Sequence, residues 1–274
     1  LGRLMGALAK RRTAIAERNL ELCFPDVSAS DRAAILRAHL EAIGKGVFEI
    51  GMAWFMPRRR LLKLVRYEGV EHLDAAEAAG QGVLLLGMHF TPLDLGGAFM
   101  SLNRSIDGSY RPHANAVYDL VQHRCRERHN PGNIAIARGD VRTMIRRLKQ
   151  GRTVWYAPDQ DYGAKHSVFV PFFGVPAATI TATGQIARLG RARVIPFTFL
   201  REPSGGYVLK IYPPFESFPQ GEDVADARTI NAFVESCVEQ APEQYLWVHR
   251  RFKTRPDGEP DLYRQVGISR GKRR

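Results

Sequence analysis

The chain has 274 residues, 45% of them hydrophobic, enough for one large α/β domain or two small ones, of which we favour one. Lysine and arginine outnumber acidic residues 40 to 28, and the +12 excess is spread along the chain, so the expected partner is anionic: nucleic acid, phosphorylated lipid, an acidic carrier protein or the cytoplasmic leaflet of a membrane. No apolar run approaches the roughly 18 residues of a spanning helix, no signal peptide is visible, and Cys23, Cys125 and Cys237 form neither a CxxC nor a zinc pattern, which fits a reducing compartment.

Because the chain starts at Leu1, a preceding N-terminal segment is expected, and any anchor there lies outside this sequence. The stretch LMGALAKRRTAIAERNLELCF reads as helical. A second helix opens at Ser28, with Asp31 three positions on as a capping-box partner. Ile35, Leu36, Leu40, Ile43, Val47 and Phe48 keep helical spacing along it, a face expected to pack on the core. A second reading lays the N-terminal region on a membrane, with Arg3, Lys10, Arg11 and Arg12 against anionic headgroups.

From about residue 64, short apolar strands alternate with helical patterns. The expected strands are GVLLLG (82–87), NIAIA (133–137), TVWYA (153–157), RVIPFTFL (193–200) and YVLKIY (207–212). Helices are expected near 92–102, 115–128, 140–150, 178–190 and 226–240, and Pro158 to Pro176 reads as a long functional loop. This grammar predicts an α/β fold: a central mixed, largely parallel sheet flanked by helices, with an N-terminal helical segment. The corresponding division is a membrane-proximal helical segment over 1–60, an α/β domain over 61–263 and a basic tail over 264–274 ending SRGKRR, one structural domain overall.

The run GVLLLGMHFTPLD places His89 and Asp94 where a buried strand hands over to a helix. Thr91-Pro92 resembles an N-cap followed by proline at the first helical position, and Asp94 then stands where a capping-box carboxylate belongs. A histidine at a strand end also serves as a plain hydrogen-bonding group. The chemical alternative is specific: an imidazole held in one tautomer by a carboxylate takes the proton from a hydroxyl as that hydroxyl attacks a carbonyl. No GxSxG elbow is present and no cysteine stands near His89, which favours direct transfer over a covalent acyl-enzyme. Metal binding is the weaker alternative, since no further His/Asp cluster has ligand spacing.

HFTPLD fits the HxxxxD/E motif of the glycerophospholipid acyltransferase superfamily. Together with YRPHANAVYDL (110–120), VWYAPDQDYG (154–163), SVFVPFFG (167–174) and APEQYLWVHRRFKTRP (241–256), the chain resembles the late acyltransferases of lipid A biosynthesis, especially the lauroyl branch, from about residue 18 to 263. The resemblance implies a glycerol-phosphate acyltransferase-like fold. It also implies transfer of a fatty acyl chain from acyl carrier protein, as co-substrate and without a cofactor, to a hydroxyl on an acyl chain of the Kdo-bearing lipid A precursor. The expected place of work is the cytoplasmic face of the inner membrane, against an anionic membrane surface. Many members carry glutamate where this chain has Asp94, which leaves the reaction class intact.

Related acyltransferases place a phosphate-binding arginine where Arg138 and Asp140 follow NIAIA. The guanidinium fork suits phosphate, while an ion pair opening the next helix is the plainer reading. Arg111 is expected near the same edge. Asp159 and Asp161 suit orienting an arginine or a sugar hydroxyl, holding a metal ion, or, as the plainer reading, capping a turn. Phe169, Phe172 and Phe173 fit an acyl channel or a core, and Arg250 and Arg251, in the densest internal basic cluster, fit phosphate or Kdo carboxylates or a solvated face. An acyltransferase of glycerol phosphate or lysophospholipid is the alternative function, and a basic nucleic-acid-binding module the distant one. No nucleic-acid motif supports the latter. Acyl length, acceptor position, Kdo dependence and oligomeric state are not written in the sequence.

Overall fold

The structure, a computed structural model, describes Gly2, Gly6 and residues 9–264. Arg3 and the basic run SRGKRR lie outside the described residues. The elements are α1 (Lys10–Cys23), α2 (Ala29–Phe55), α3 (Arg58–Leu61), β1 (Val65–Glu68), α4 (Glu71–Ala78), β2 (Val83–Leu86), α5 (Leu93–Asn103), β3 (Ile106–Tyr110), α6 (Ala116–Glu127), β4 (Ala135–Ala137), α7 (Val141–Lys149) and β5 (Thr153–Tyr156). They continue with β6 (Ser167–Phe172), β7 (Val175–Ile180), α8 (Ala182–Gly190), β8 (Arg193–Arg201), β9 (Tyr207–Ile211) and α9 (Asp223–Gln240). Among the described residues, no helix is long and apolar enough to cross a membrane.

Two compact units form. One comprises Gly46–Pro158 and Thr183–Gly221; the other comprises the described residues of Leu1–Lys45, Asp159–Ala182 and Glu222–Arg274. The first unit holds a seven-stranded sheet in the order β1-β9-β8-β2-β5-β3-β4. All neighbours in it are parallel except β8 and β9. The mixed, largely parallel sheet therefore matches the sequence-based expectation. Strand β2 lies between β5 and β8 with all four residues buried, which is why it reads as an unbroken apolar run and not as an alternating one. One face of the sheet packs under α5, where Leu85, Leu95, Phe99, Ile195, Phe197 and Phe199 belong to a single buried cluster.

In the second unit, β6 and β7 form an antiparallel hairpin closed by Phe173 and Gly174, between the paired residues Phe172 and Val175. Both turn residues have positive φ, 48° and 73°, as a two-residue turn matching the strand twist requires. The expected loop from Pro158 to Pro176 is thus half hairpin, and the expected helix from 178 starts at Ala182 because 175–180 is strand β7. A Phe-Gly turn lacks the usual Asn-Gly or Asp-Gly signal, so periodicity misread the segment.

Ser28 opens α2 as expected: its Oγ accepts the Asp31 N–H at 3.1 Å and donates to Asp31 Oδ2 at 2.7 Å. The apolar stripe along α2 departs from expectation at its far end. Val47 and Phe48 are exposed, the latter at 66%.

Candidate active site

Strand β2 ends at Leu86, and the chain leaves the sheet through Gly87 and Met88 to reach His89, which is half-buried. Gly87 sits where a Cβ would come within 2.3 Å of Trp155 Nε1 and 2.9 Å of Phe197 Cε1, so only glycine lets the strand exit between those rings. The chain runs from β2 outward through β3 and β4, returns to β5 beside β2, and then places β8 on the other flank of β2. Connections from β2 and β5 therefore leave in opposite directions, the arrangement that opens a crevice beyond the carboxyl ends of parallel strands. His89 stands at that crevice.

The turn after His89 is held differently from the sequence-based expectation. Helix α5 begins at Leu93 with Pro92 at its cap position and no side-chain cap, and the Thr91 hydroxyl accepts a hydrogen bond from Arg201 Nη1 at 2.8 Å. Arg201, the last residue of β8, also grips Glu49 of α2 with two bonds, Nε to Oε1 at 2.6 Å and Nη2 to Oε2 at 2.5 Å. Tyr207 donates to Glu49 Oε1 at 2.8 Å. Side-chain exposure of Arg201 and Glu49 is 11% and 4%, so this is a buried, bidentate, multiply bonded pair whose geometry is fixed. Burial, then the neighbouring Glu49 carboxylate, push the Tyr207 phenol well above its ordinary range, so it stays a donor.

Asp94 lies in the first turn of α5, half-buried, and its Oδ1 accepts from Arg126 Nη2 at 3.1 Å. The Arg126 guanidinium in turn lies 5.8 Å from the centre of the Tyr110 ring. A largely apolar cavity lies against α5, with Asp94 in its wall. Asp94, Gly97, Ala98 and Ser101 line it at helical i, i+3, i+4 and i+7 spacing, facing Leu85 and Trp155 of the sheet. Its interior offers about 90 Å³ to a water-sized sphere, and about 800 Å³ when all space between protein atoms, open solvent included, is counted. Cys125 also lines it, its thiol pushed up by burial, and Trp54 Nε1 and Asn133 Nδ2 on its wall are buried donors without an acceptor among the described residues.

Arg111 follows β3, and Arg138 follows β4, its amide donating to Tyr110 O at 2.8 Å. The register Tyr110↔Ala137 brings both arginines out at one level of the same sheet edge as His89, both exposed. Counting strands, Arg111 leaves the edge two strands from β2 and Arg138 three, roughly 10 and 15 Å across the sheet. Asp140 caps α7: its carboxylate accepts the Thr143 N–H at 3.0 Å, and bonding to Thr143 holds its pKa below the usual carboxylate value.

The remaining sequence-predicted residues belong to the other unit. Asp161 is 2% exposed and organises its surroundings: it accepts from Gly163 N at 2.8 Å, Thr254 N at 2.8 Å and Thr254 Oγ1 at 2.9 Å. Its amide donates to His249 Nε2 at 3.1 Å. Asp159 is equally buried, and Tyr245 donates to its carbonyl. Arg251 is 2% exposed and spends its guanidinium on Ala178 O, Thr179 Oγ1 and Asn231 Oδ1, with Phe172 beneath it at 5.0 Å. Arg250 is half-buried. Phe172 and Phe173 pack in an aromatic cluster with Phe24, Trp247 and Phe252, while Phe169 is 38% exposed. In this unit the geometry is that of turn-holding, core-filling groups.

Sequence reasoning missed Arg126, Arg201, Glu49 and the cavity. Their partners lie 32 to 152 residues away, beyond any local pattern.

A model of the bacterial lipid A biosynthesis acyltransferase family matches residues 1–254. The lipid A biosynthesis lauroyltransferase of Escherichia coli (strain K12) is 44% identical over 265 residues, covering 96% of this chain and 86% of that protein. The palmitoleoyltransferase of the same organism is also 44% identical, over 269 residues, covering 96% and 87%. Its myristoyltransferase is 29% identical over 270 residues, covering 98% and 83%. The motif at the crevice thus stands in a chain that is similar to these enzymes over most of its length: this chain belongs to the bacterial lipid A biosynthesis acyltransferase family.

Proposed function

We propose that this O-acyltransferase moves a fatty acyl chain, lauroyl by preference, from acyl carrier protein to a hydroxyl on an acyl chain of the Kdo-bearing lipid A precursor, at the cytoplasmic face of the inner membrane. The observation that carries the reading is that Asp94, five residues after His89 at the carboxyl edge of the central strand, also lines a largely apolar cavity. A hydrocarbon chain needs a water-free sleeve, and a hydroxyl needs a base at its mouth.

In this reading His89 takes the proton of the acceptor hydroxyl as its oxygen attacks the thioester carbonyl. The tetrahedral intermediate collapses with cleavage of the carbon–sulfur bond, and the imidazolium returns its proton to the departing thiolate, so no group is left charged. In this role Asp94 orients the imidazole while Arg126 holds Asp94 in place. Arg111 and Arg138, cationic and spaced along the same edge, suit the phosphates of a disaccharide acceptor. The donor chain lies under α5, not among Phe169, Phe172 and Phe173, because the latter two already fill a core.

Purified protein supplied with acyl carrier protein donors of graded chain length and with Kdo-bearing or Kdo-free precursor tests this directly. Mass spectrometry of the product is expected to show one added acyl group on an existing acyl chain, with twelve carbons preferred, and transfer only to glycerol phosphate or lysophospholipid would overturn it.

A further inference from the structure

Helix α6 is a twelve-residue helix with no buried residue. A surface helix ordinarily hides an apolar stripe. Here Val117 is 72% exposed, Leu120 51% and Tyr118 38%. The end of α2 beside it repeats the pattern, with Phe48 at 66% and Phe55 at 70%, seven residues apart and so on one side of the helix. The two helices meet: the Trp54 and Tyr118 rings are 5.5 Å apart, and Arg128 donates to the carbonyls of Trp54 and of Met56, the latter at 3.2 Å. Their exposed side chains thus form a neighbouring set, where a soluble protein ordinarily scatters such residues singly.

The surround is basic. Arg59, Arg60, Arg111, Arg124 and Arg128 are exposed on or next to these elements. The acids of α6 are engaged locally, Asp119 by the His113 N–H at 2.7 Å and Glu127 by the Ala135 N–H at 3.2 Å. Large apolar side chains ringed by arginines complement an anionic bilayer: the former reach the boundary of the acyl region while the latter meet the headgroups. The same helix carries Cys125 and Arg126, which line the cavity at Asp94.

We propose that the end of α2 and helix α6 form the surface by which this protein docks on an anionic lipid bilayer, with Phe48, Phe55, Val117 and Leu120 entering the interface. Docking there places α6, whose Cys125 and Arg126 line the same cavity as Asp94, against the layer in which a lipid substrate resides. The proposal rests on the reading of a membrane-resident acceptor, but its test reads binding and not acyl transfer, so the two fail separately.

Flotation of the intact chain with vesicles of phosphatidylcholine alone or mixed with phosphatidylglycerol is the experiment, at low and at molar salt. The expected result is tight binding to the anionic vesicles with a portion that survives molar salt, together with quenching of Trp54 by bromine-labelled lipid that a Trp54→Phe control lacks. Phe48→Ser/Phe55→Ser and Val117→Ser/Leu120→Ser should each weaken the salt-resistant part by roughly tenfold with little change in the melting curves, since all four side chains are more than half exposed. Wild-type binding wholly released by salt, equal binding by the variants, or a dimer in solution that the same substitutions dissociate would overturn it.

Discussion

Arg126 sets its Nη2 3.1 Å from Oδ1 of Asp94, so the carboxylate of the HFTPLD motif is held by a cation from a helix 32 residues further along the chain. The carboxylate is therefore not a simple helix cap, and its orientation depends on α6.

Loss of the base should dominate activity. His89→Ala is expected to lower turnover by at least about a hundredfold with the fold intact. Asp94→Asn and Arg126→Gln should each lower kcat, and the double variant should fall well short of the product of the two single effects because they act through one pair. Independent, multiplying effects measured in steady-state kinetics would remove Arg126 from the site.

The buried pair behind Thr91 makes a different prediction. Glu49→Gln leaves Arg201 buried beside a neutral partner, and breaking such a pair costs on the order of 3 kcal/mol. Thr91→Val, which removes one bond to the same guanidinium, should cost on the order of 1 kcal/mol. Chemical denaturation measures both. Glu49→Gln should also lower kcat more than donor KM at temperatures where it remains folded, because the turn that carries His89 loosens.

Chain selection should respond to volume under α5. A Cβ at Gly97 meets nothing within 4 Å, so Gly97→Leu enters open space instead of displacing core. In competition between acyl donors read by mass spectrometry, this variant is expected to shift preference toward shorter chains while retaining turnover on them. An unchanged profile would place the chain elsewhere.

At the sheet edge, Arg138→Ala should raise the acceptor KM at least about tenfold and leave the donor KM nearly unchanged. Arg138→Lys should restore it only in part, since lysine lacks the two-pronged fork. Equal effects on both substrates would argue for a structural role.

Stability should fall in mild acid through His39. Its Nδ1 donates to the Glu243 carbonyl at 3.1 Å, its buried Nε2 has no partner among the described residues, and burial pulls its pKa down to about 4. The unfolded chain, near the ordinary value of 6.5, binds the proton more readily. Stability is therefore full above pH 6.5, declines as pH falls toward 4, and has lost on the order of 3 kcal/mol below that from this group. His39→Phe should flatten that part of a melting-temperature profile if it folds, and His39→Gln provides a polar control.

How much of this could be read without coordinates depended on the range of the interactions involved. Buried parallel strands such as Val83–Leu86 and Arg193–Arg201 announce themselves as apolar runs, and the Ser28–Asp31 cap spans three residues, so local pattern sufficed. The same holds for the reach of His89, because a strand followed by a helix leaves the intervening residues at the sheet edge. Strand β3, IDGSY, was illegible: its Asp107 is buried, which becomes tolerable only when Arg147 and Arg152 arrive from 40 and 45 residues away. Phe172 and Phe173 looked equally suited to a channel or a core, since hydrophobicity states that a side chain avoids water but not which neighbours it meets. Likewise Arg126 and Arg201 read as two among 40 basic residues until folding set one against Asp94 and the other against Glu49 and Thr91. Residue type and spacing determined which groups could do chemistry. The tertiary structure decided which carboxylate each arginine meets and where an apolar space stays open, because both depend on long-range contacts that no local periodicity encodes.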